Sequence, residues 1–266
     1  MRIRIRSYAT TGAILATIAL VNVHTLVAQS EPAPKPKWSL VTMTTIKPEM
    51  RTEFEAWQKQ MTAAFKKAEI PARAVFQTTM GNLFEYVAVS PLAHFADLDG
   101  PNPFERALGK DEAANLMRKG AVYITSAHRI ASMALDDMSI QTETPEPAPY
   151  AVVTILHVVP GKGPDFAAWM KNEYMPAMKK AEVKNFWVNQ TVFGGDPNER
   201  ITVRPMNAMG ELDAGPVLTK SLGDEGVRKL MSKTAGMIDS TQFRIVRYRP
   251  DLSYRTAVAA KTASAK

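Results

Sequence analysis

The stretch Val41-Thr-Met-Thr-Thr-Ile-Lys-Pro-Glu-Met-Arg-Thr-Glu-Phe54 returns later in the chain as Val153-Thr-Ile-Leu-His-Val-Val-Pro-Gly-Lys-Gly-Pro-Asp-Phe166. Val-Thr opens both, Pro48 answers Pro160, and Phe54-Glu-Ala-Trp57 answers Phe166-Ala-Ala-Trp169, all at one constant offset. In each copy, β-branched residues alternate over residues 38–47 and 150–159, the period of a strand. A proline then ends the strand, and apolar residues recur at helical spacing over 50–68 and 162–181, as Phe54, Trp57, Met61 and Phe65 do in the first copy. Pro176 is expected to kink the second helix.

Outward from this pair the correspondence continues in unbroken order. Lys66-Lys-Ala-Glu69 matches Lys179-Lys-Ala-Glu182 and Gln77-Thr78 matches Gln190-Thr191, one residue further on. Pro91 then pairs with Pro205, Leu98-Asp99 with Leu212-Asp213, Leu108-Gly109 with Leu222-Gly223, and Leu116-Met117 with Leu230-Met231. An internal repeat of this length organises the whole chain. Strand-like runs at 72–79 and 185–193 turn through Gly81-Asn82 and Gly194-Gly-Asp-Pro-Asn198 into runs at 83–90 and 199–204, which reads as a hairpin in each copy. A broken helical region (92–119; 206–233) and a last strand (121–135; 239–249) complete the order βαββαβ, twice.

Such a unit covers one face of its four-stranded antiparallel sheet with helices and leaves the other bare. Two units in one chain can lay their bare faces together. The space between them is then either a cavity or filled by side chains. The expected fold is α+β, with two ferredoxin-like repeats pairing their sheets as an intramolecular barrel.

The flanking segments read differently. Residues 1–29 carry Arg2, Arg4 and Arg6, then an apolar run at 11–21, then Leu26-Val27-Ala28-Gln29-Ser30, the pattern of a secretory signal peptide cleaved after Ala28 or Ser30. The apolar run falls short of the ~20 residues a spanning helix needs, so a protein free of the membrane, periplasmic or secreted, is expected. A Pro-rich linker (30–37) leads to the first repeat (38–140), an acidic Pro-rich linker (141–149) to the second (150–254), and an Ala/Thr/Lys-rich tail (255–266) is expected to be disordered.

Composition excludes several chemistries. The 266 residues, 45% hydrophobic, suffice for packed cores, and the absence of cysteine removes disulfides, thiolate metal sites and cysteine nucleophiles. The formal charge of +7 falls to about +4 without the basic leader, and no Lys/Arg-rich run interleaves with aromatics, so no nucleic-acid groove is expected. No G-x-G-x-x-G after a strand, no G-x-x-x-x-G-K-[ST] and no G-x-S-x-G is present. The glycosylation triplet Asn189-Gln-Thr191 falls inside an expected strand.

The paired strand–Pro–helix starts, with nearly all of 38–253 behind them, resemble the dimeric α/β-barrel superfamily, which includes the antibiotic-biosynthesis-monooxygenase-like, NIPSNAP-like and EthD-like proteins. The segments Asp99-Gly-Pro-Asn-Pro-Phe-Glu-Arg-Ala-Leu-Gly109, Asp213-Ala-Gly-Pro-Val-Leu-Thr-Lys-Ser-Leu-Gly223 and Arg249-Pro-Asp-Leu-Ser-Tyr254 are similar to those of uncharacterised exported bacterial proteins. The resemblance implies a barrel enclosing a site between the sheets, and its members carry unrelated chemistries.

The candidate site residues follow from strand parity. His157 shares a face with Val153 and Ile155, and its counterpart is Thr45. In the resembling superfamily this parity faces the cavity, which would set His157, Ile155, Thr45 and Met43 on the inner wall. There His157 could take a proton, orient a ligand or bind haem iron; otherwise it is a hydrogen-bonded histidine near a strand end. His94, His128 and His157 lie in separate elements without metal-ligand spacing. Arg129 and Arg244 recur on the last strands and would hold an anionic ligand if inward, or be solvated if outward. On the third strands Glu85 answers Glu199 and Tyr86 answers Arg200, so one parity keeps its carboxylate while the other, also a candidate for the wall, diverges. Trp57 and Trp169 read as helix-to-sheet packing and the 15 methionines as core filler. Two functions fit: an exported module binding a small apolar or anionic molecule without a cofactor, or a cofactor-free monooxygenase or haem-handling enzyme.

Overall fold

A computed structural model describes residues 37–142 and 147–256. The leader, most of the first linker and the last ten residues lie outside the described residues. The elements follow the expected order: β1 (Trp38–Ile46), α1 (Arg51–Lys67), β2 (Ala72–Met80), β3 (Glu85–Leu92), α2 (Pro103–Leu108), α3 (Lys110–Ala121), β4 (Ile124–Ala134) and the short β5 (Ile140–Gln141). The second copy gives β6 (Tyr150–Val158), α4 (Gly163–Trp169), α5 (Met175–Lys180), β7 (Asn185–Phe193), β8 (Glu199–Met206), α6 (Thr219–Ser232), β9 (Ile238–Tyr248) and the short β10 (Tyr254–Arg255).

The long strands run in the order β2-β3-β1-β4-β7-β8-β6-β9, and β9 pairs back onto β2. This closes an eight-stranded antiparallel barrel from the two copies. Two seams join them. At one, Gln77 of β2 faces Arg247 of β9; at the other, Met133 of β4 faces Gln190 of β7. The bare faces therefore do more than stack: the edge strands hydrogen-bond across copies, which leaves the long strands continuously paired around the ring. Because every pairing is antiparallel, β1 and β6 run the same way, and matching residues of the two copies lie at the same end of the barrel.

The helices pack on the outside. Phe54, Trp57, Met61 and Ala64 of α1 face the first sheet together with Val75 and Tyr86, while Phe166, Trp169, Met178 and Phe186 occupy the matching core of the second copy. Trp57 donates its indole N–H to the carbonyl of Leu116, 2.8 Å away, which ties α1 to α3. Each first helix ends on a glutamate in the left-handed region, Glu69 at φ 58° and Glu182 at φ 62°. The N–H of Ile70 bonds the Phe65 carbonyl and that of Glu69 bonds Lys66, and Val183 and Glu182 repeat the pattern onto Met178 and Lys179. These are Schellman caps, and they explain why the Lys-Lys-Ala-Glu motif recurs.

The one-residue drift between copies has a structural reason at each step. The first extra residue of copy two falls between Trp169 and Lys179, and there a π-helical turn (Met170–Tyr174) separates α4 from α5 just before Pro176. An added residue absorbed as a wider turn keeps both ends of the helix on the core. The second falls in the β7–β8 hairpin, where Gly194 takes φ 80° and approaches β4 so closely that a Cβ would lie 2.3 Å from the Arg129 carbonyl oxygen. A glycine is required at that position.

Each copy also sends its C-terminal segment across the other. The N–H of Leu135 bonds the carbonyl of Val188, and that of Arg249 bonds Val75. Ser139 Oγ then accepts from the Val188 N–H and Ser253 Oγ from the Val75 N–H. β5 pairs with β7, and β10 with β2, to finish the two straps.

Candidate functional site

The inward residues of the eight strands enclose a cavity of about 330 Å³. Its waist is apolar, formed by side chains such as Val41, Val87, Val153, Val203, Phe76 and Trp187. Alternation along each strand puts these residues inside and their neighbours outside. At the end where β1 and β6 begin, Ser39, Ser132, Asn189 and Asp136 line it. Toward the end where they finish, the wall carries Glu85 and Arg244.

Glu85 and Arg244 come from different copies and meet at the β2–β9 seam. Arg244 Nη1 donates to Glu85 Oε1 at 2.9 Å, and Thr78 Oγ1 donates to the same oxygen at 3.2 Å. The Glu85 side chain is 11% exposed and that of Arg244 28%. A carboxylate this deep holds its place through a charge-assisted bond to the guanidinium. At the other seam Thr191 Oγ1 donates to Glu199 Oε2 at 3.4 Å, but among the described residues no arginine pairs with it.

The reason is register. Arg129 stands opposite Thr42, whereas Arg244 stands opposite Val153. The counterpart of Arg244 is therefore Ile130, and the counterpart of Arg129 is Phe243. A one-residue slip moves a side chain to the other face of a sheet, so the expectation that Arg129 and Arg244 act as a pair is corrected. Arg129 lies on the outer face, its Nε donating to Thr42 Oγ1 at 3.1 Å.

Of the other expected wall residues, Met43 and Ile155 line the cavity. Thr45 shares their face beyond Met43, and its hydroxyl accepts from Asn82 Nδ2 at 3.2 Å. Tyr86 and Arg200 belong to the outer parity and are corrected. Tyr86 is 2% exposed beneath α1, its ring 4.9 Å from that of Phe54 and its hydroxyl donating to Glu55. Burial first, then that hydrogen bond, raise its pKa. Arg200 donates to the Pro197 carbonyl at 2.8 Å, and burial lowers its pKa. The inward partners on those strands are Glu85 and Ile201.

His157 sits at the rim. Its Nε2 lies 2.7 Å from Asp196 Oδ2 and its Nδ1 3.5 Å from Asp239 Oδ2. The hairpin that supplies Asp196 is the one lengthened in copy two, so Thr45–Asn82 in the first copy becomes His157–Asp196 in the second. Asp196 has a lowered pKa because the backbone N–H of Asn198 and then His157 bond its carboxylate.

These contacts decide how haem would fit. Among the described residues the cavity wall presents no imidazole and no thiolate, and Met43 is its one sulfur. Asp196 engages His157 Nε2, whereas Nδ1 is buried without a hydrogen-bond partner, 3.5 Å from Asp239 Oδ2, and His157 is not among the residues that line the cavity. The residues present do not fit haem through His157. Nor is any group of three or more His, Asp or Glu side chains arranged to hold a metal ion among the described residues. Asn189 lines the cavity, which removes its triplet as a glycan acceptor.

Fold and cavity together define a dimeric α/β barrel folded from a single chain. The likeness to solved structures says the same. An anthrone oxidase-like protein matches with a TM-score of 0.58 and 13% identity over 85% of this chain and 95% of its own. A provisionally assigned monooxygenase from Lactobacillus acidophilus matches with a TM-score of 0.54 and 12% identity over 84% of this chain and 97% of its own. A chlorite dismutase variant from Candidatus Nitrospira defluvii matches at 0.53 with 8% identity over 86% and 97%. At such identities the likeness is one of fold. No family model matches the chain, and no curated protein matches it in sequence.

Proposed function

We propose that the protein binds a small, mainly apolar organic molecule inside the barrel. The observation that carries this reading is the cavity itself, near the lower end of the ~300–1,000 Å³ typical of ligand sites, with an apolar waist and a few fixed polar groups. Filling it with side chains is the direct test. Val87→Phe with Val203→Phe should leave the fold intact by circular dichroism. It should also abolish the uptake of apolar fluorescent probes that the unaltered protein shows. Equal uptake by both proteins refutes the reading.

A second reading, a cofactor-free monooxygenase, draws its support from the solved neighbours described as anthrone oxidase-like and monooxygenase. In it the substrate sits against Glu85, the carboxylate beside the apolar waist. Oxygen consumption with polycyclic phenols, lost in Glu85→Gln, supports it, and uptake of the same compounds without oxygen consumption favours binding alone. Export belongs to the proposal as well, supported by the basic and apolar leader of residues 1–29. A mature chain that still begins at Met1 contradicts it. Among the described residues no helix is long and apolar enough to cross a membrane.

A further inference from the structure

The two seams carry the same carboxylate with different partners, and the difference points to the ligand's head group. At the β2–β9 seam, Glu85 accepts from Thr78 and from the Arg244 guanidinium. At the β4–β7 seam, Glu199 occupies the matching place, faces inward at the register position of His157, and accepts from Thr191. Where Arg244 stands at the first seam, Ile130 stands at the second. A Cβ on Gly195 would lie 3.4 Å from the Ile130 side chain and 3.8 Å from Glu199 Oε2, so both border the same glycine. Among the described residues Glu199 has no cation at ion-pair distance.

The geometry points to a ligand with an apolar body and a cationic amine head, the ammonium taking beside Glu199 the place that Arg244 takes beside Glu85. This rests on the reading of the barrel as a small-molecule site and names the class of molecule. The molecule thus contains its own precedent, since the same Thr–Glu pair holds a guanidinium at the other seam. An ammonium also matches the field at this end. Among the described residues, Glu85, Glu199, Asp196 and Asp239 gather at this end with Arg244, with His157 between the two aspartates and His128 opposite Met43, so an anionic head group would meet more carboxylate than guanidinium. Of the two ligand classes expected from sequence, the apolar body agrees with the wall, whereas the anionic head does not agree with these charges.

The test uses four probes with one body: 2-(aminomethyl)naphthalene, 2-naphthalenemethanol, 2-naphthoate and 2-methylnaphthalene, titrated calorimetrically into the full chain. The amine should bind at least about tenfold more tightly than the alcohol, as expected for one charge-assisted hydrogen bond, and the carboxylate most weakly. Glu199→Gln should erase the advantage of the amine while 2-methylnaphthalene binds as before. Ile130→Arg, which supplies the missing cation from the protein, should erase it too. If the alcohol and hydrocarbon bind while the amine has no advantage, or if Glu199→Gln leaves that advantage intact, the head-group assignment is wrong and the cavity reading stands. If no probe binds, the reading of the barrel as a binding site falls, and the head group with it.

Discussion

At the scale of single residues the account turns on which side of a strand a side chain occupies. Glu85 and Arg244 are an inward pair, so removing one strands the other in a largely apolar wall. Glu85→Leu is expected to lower stability by about 1–3 kcal/mol, and adding Arg244→Leu should restore most of the loss, since a matched apolar pair costs less than an orphaned charge. Arg129→Ala, on the outer face, should stay within about 0.5 kcal/mol of the parent protein. Urea unfolding of the four variants, the Arg244→Leu single included, checks this as a double-mutant cycle. The sequence alone made Met43 and Ile155 legible as wall residues, because their parity is set by the first strand of each copy. Arg129 was misplaced for a definite reason: both last strands have an Arg, and matching identities hid a one-residue difference in register. Glu85 and Glu199 were visible as a kept pair, but their inward direction depends on pairing to β1 and β6, which no local pattern states.

At the scale of elements, sequence and structure agree where a motif has a local cause. The strand–Pro–helix starts, the Gly-containing hairpins and the Lys-Lys-Ala-Glu caps each follow from backbone chemistry within a few residues. The left-handed cap residue offers a clean test. Glu69→Gly is expected to raise stability by about 0.5–1 kcal/mol, because glycine takes a φ of 58° without the steric cost borne by a glutamate. Thermal unfolding measures it, and a lower midpoint than the parent speaks against the cap. The crossing straps were not legible, since Asp-Asp-Met-Ser139 and Pro-Asp-Leu-Ser253 share only an aspartate, an apolar residue and a serine, and the use of the serine appears only when it meets the far copy. Ser253→Ala leaves the Val75 N–H without its acceptor and should cost about 1–2 kcal/mol. Ser253→Thr, which keeps the hydroxyl, should cost less.

Across the whole molecule, both straps carry charge, the first through the Asp137–Lys171 ion pair and the second through a clasp centred on Arg249. Arg249 donates through Nη1 and Nη2 to the two oxygens of Glu55, at 2.6 and 2.8 Å, and also reaches Asp251. The hydrogen bond from Arg249 is the first cause that lowers the pKa of Glu55, and likewise that of Asp251. A carboxylate lowered on folding stabilises the protein above its ordinary value, and that contribution is lost as the pH falls through the folded one. Glu55→Gln should therefore differ from the parent by a constant amount near neutrality, and the two should converge as the pH drops below 4.5, the ordinary glutamate value. Urea midpoints followed from pH 7 to pH 3 read this directly, and a difference that holds at low pH would show that the clasp is not ionic.

The claim beneath all of this is that two copies in one chain close a single barrel through hydrogen-bonded seams. Cysteines placed at Gln77 and Arg247, facing partners across β2 and β9, test it in a chain that has no cysteine of its own. Facing residues in an antiparallel pair have Cα atoms about 4.5–5.5 Å apart, within the roughly 4.4–6.8 Å a disulfide spans. Mild oxidation should give an intrachain disulfide in the monomer, seen in the intact mass as the loss of two hydrogens and as a faster band without reductant. Cysteines that stay reduced, or that link only between chains, would mean the copies do not meet there and that the chamber between them is not closed.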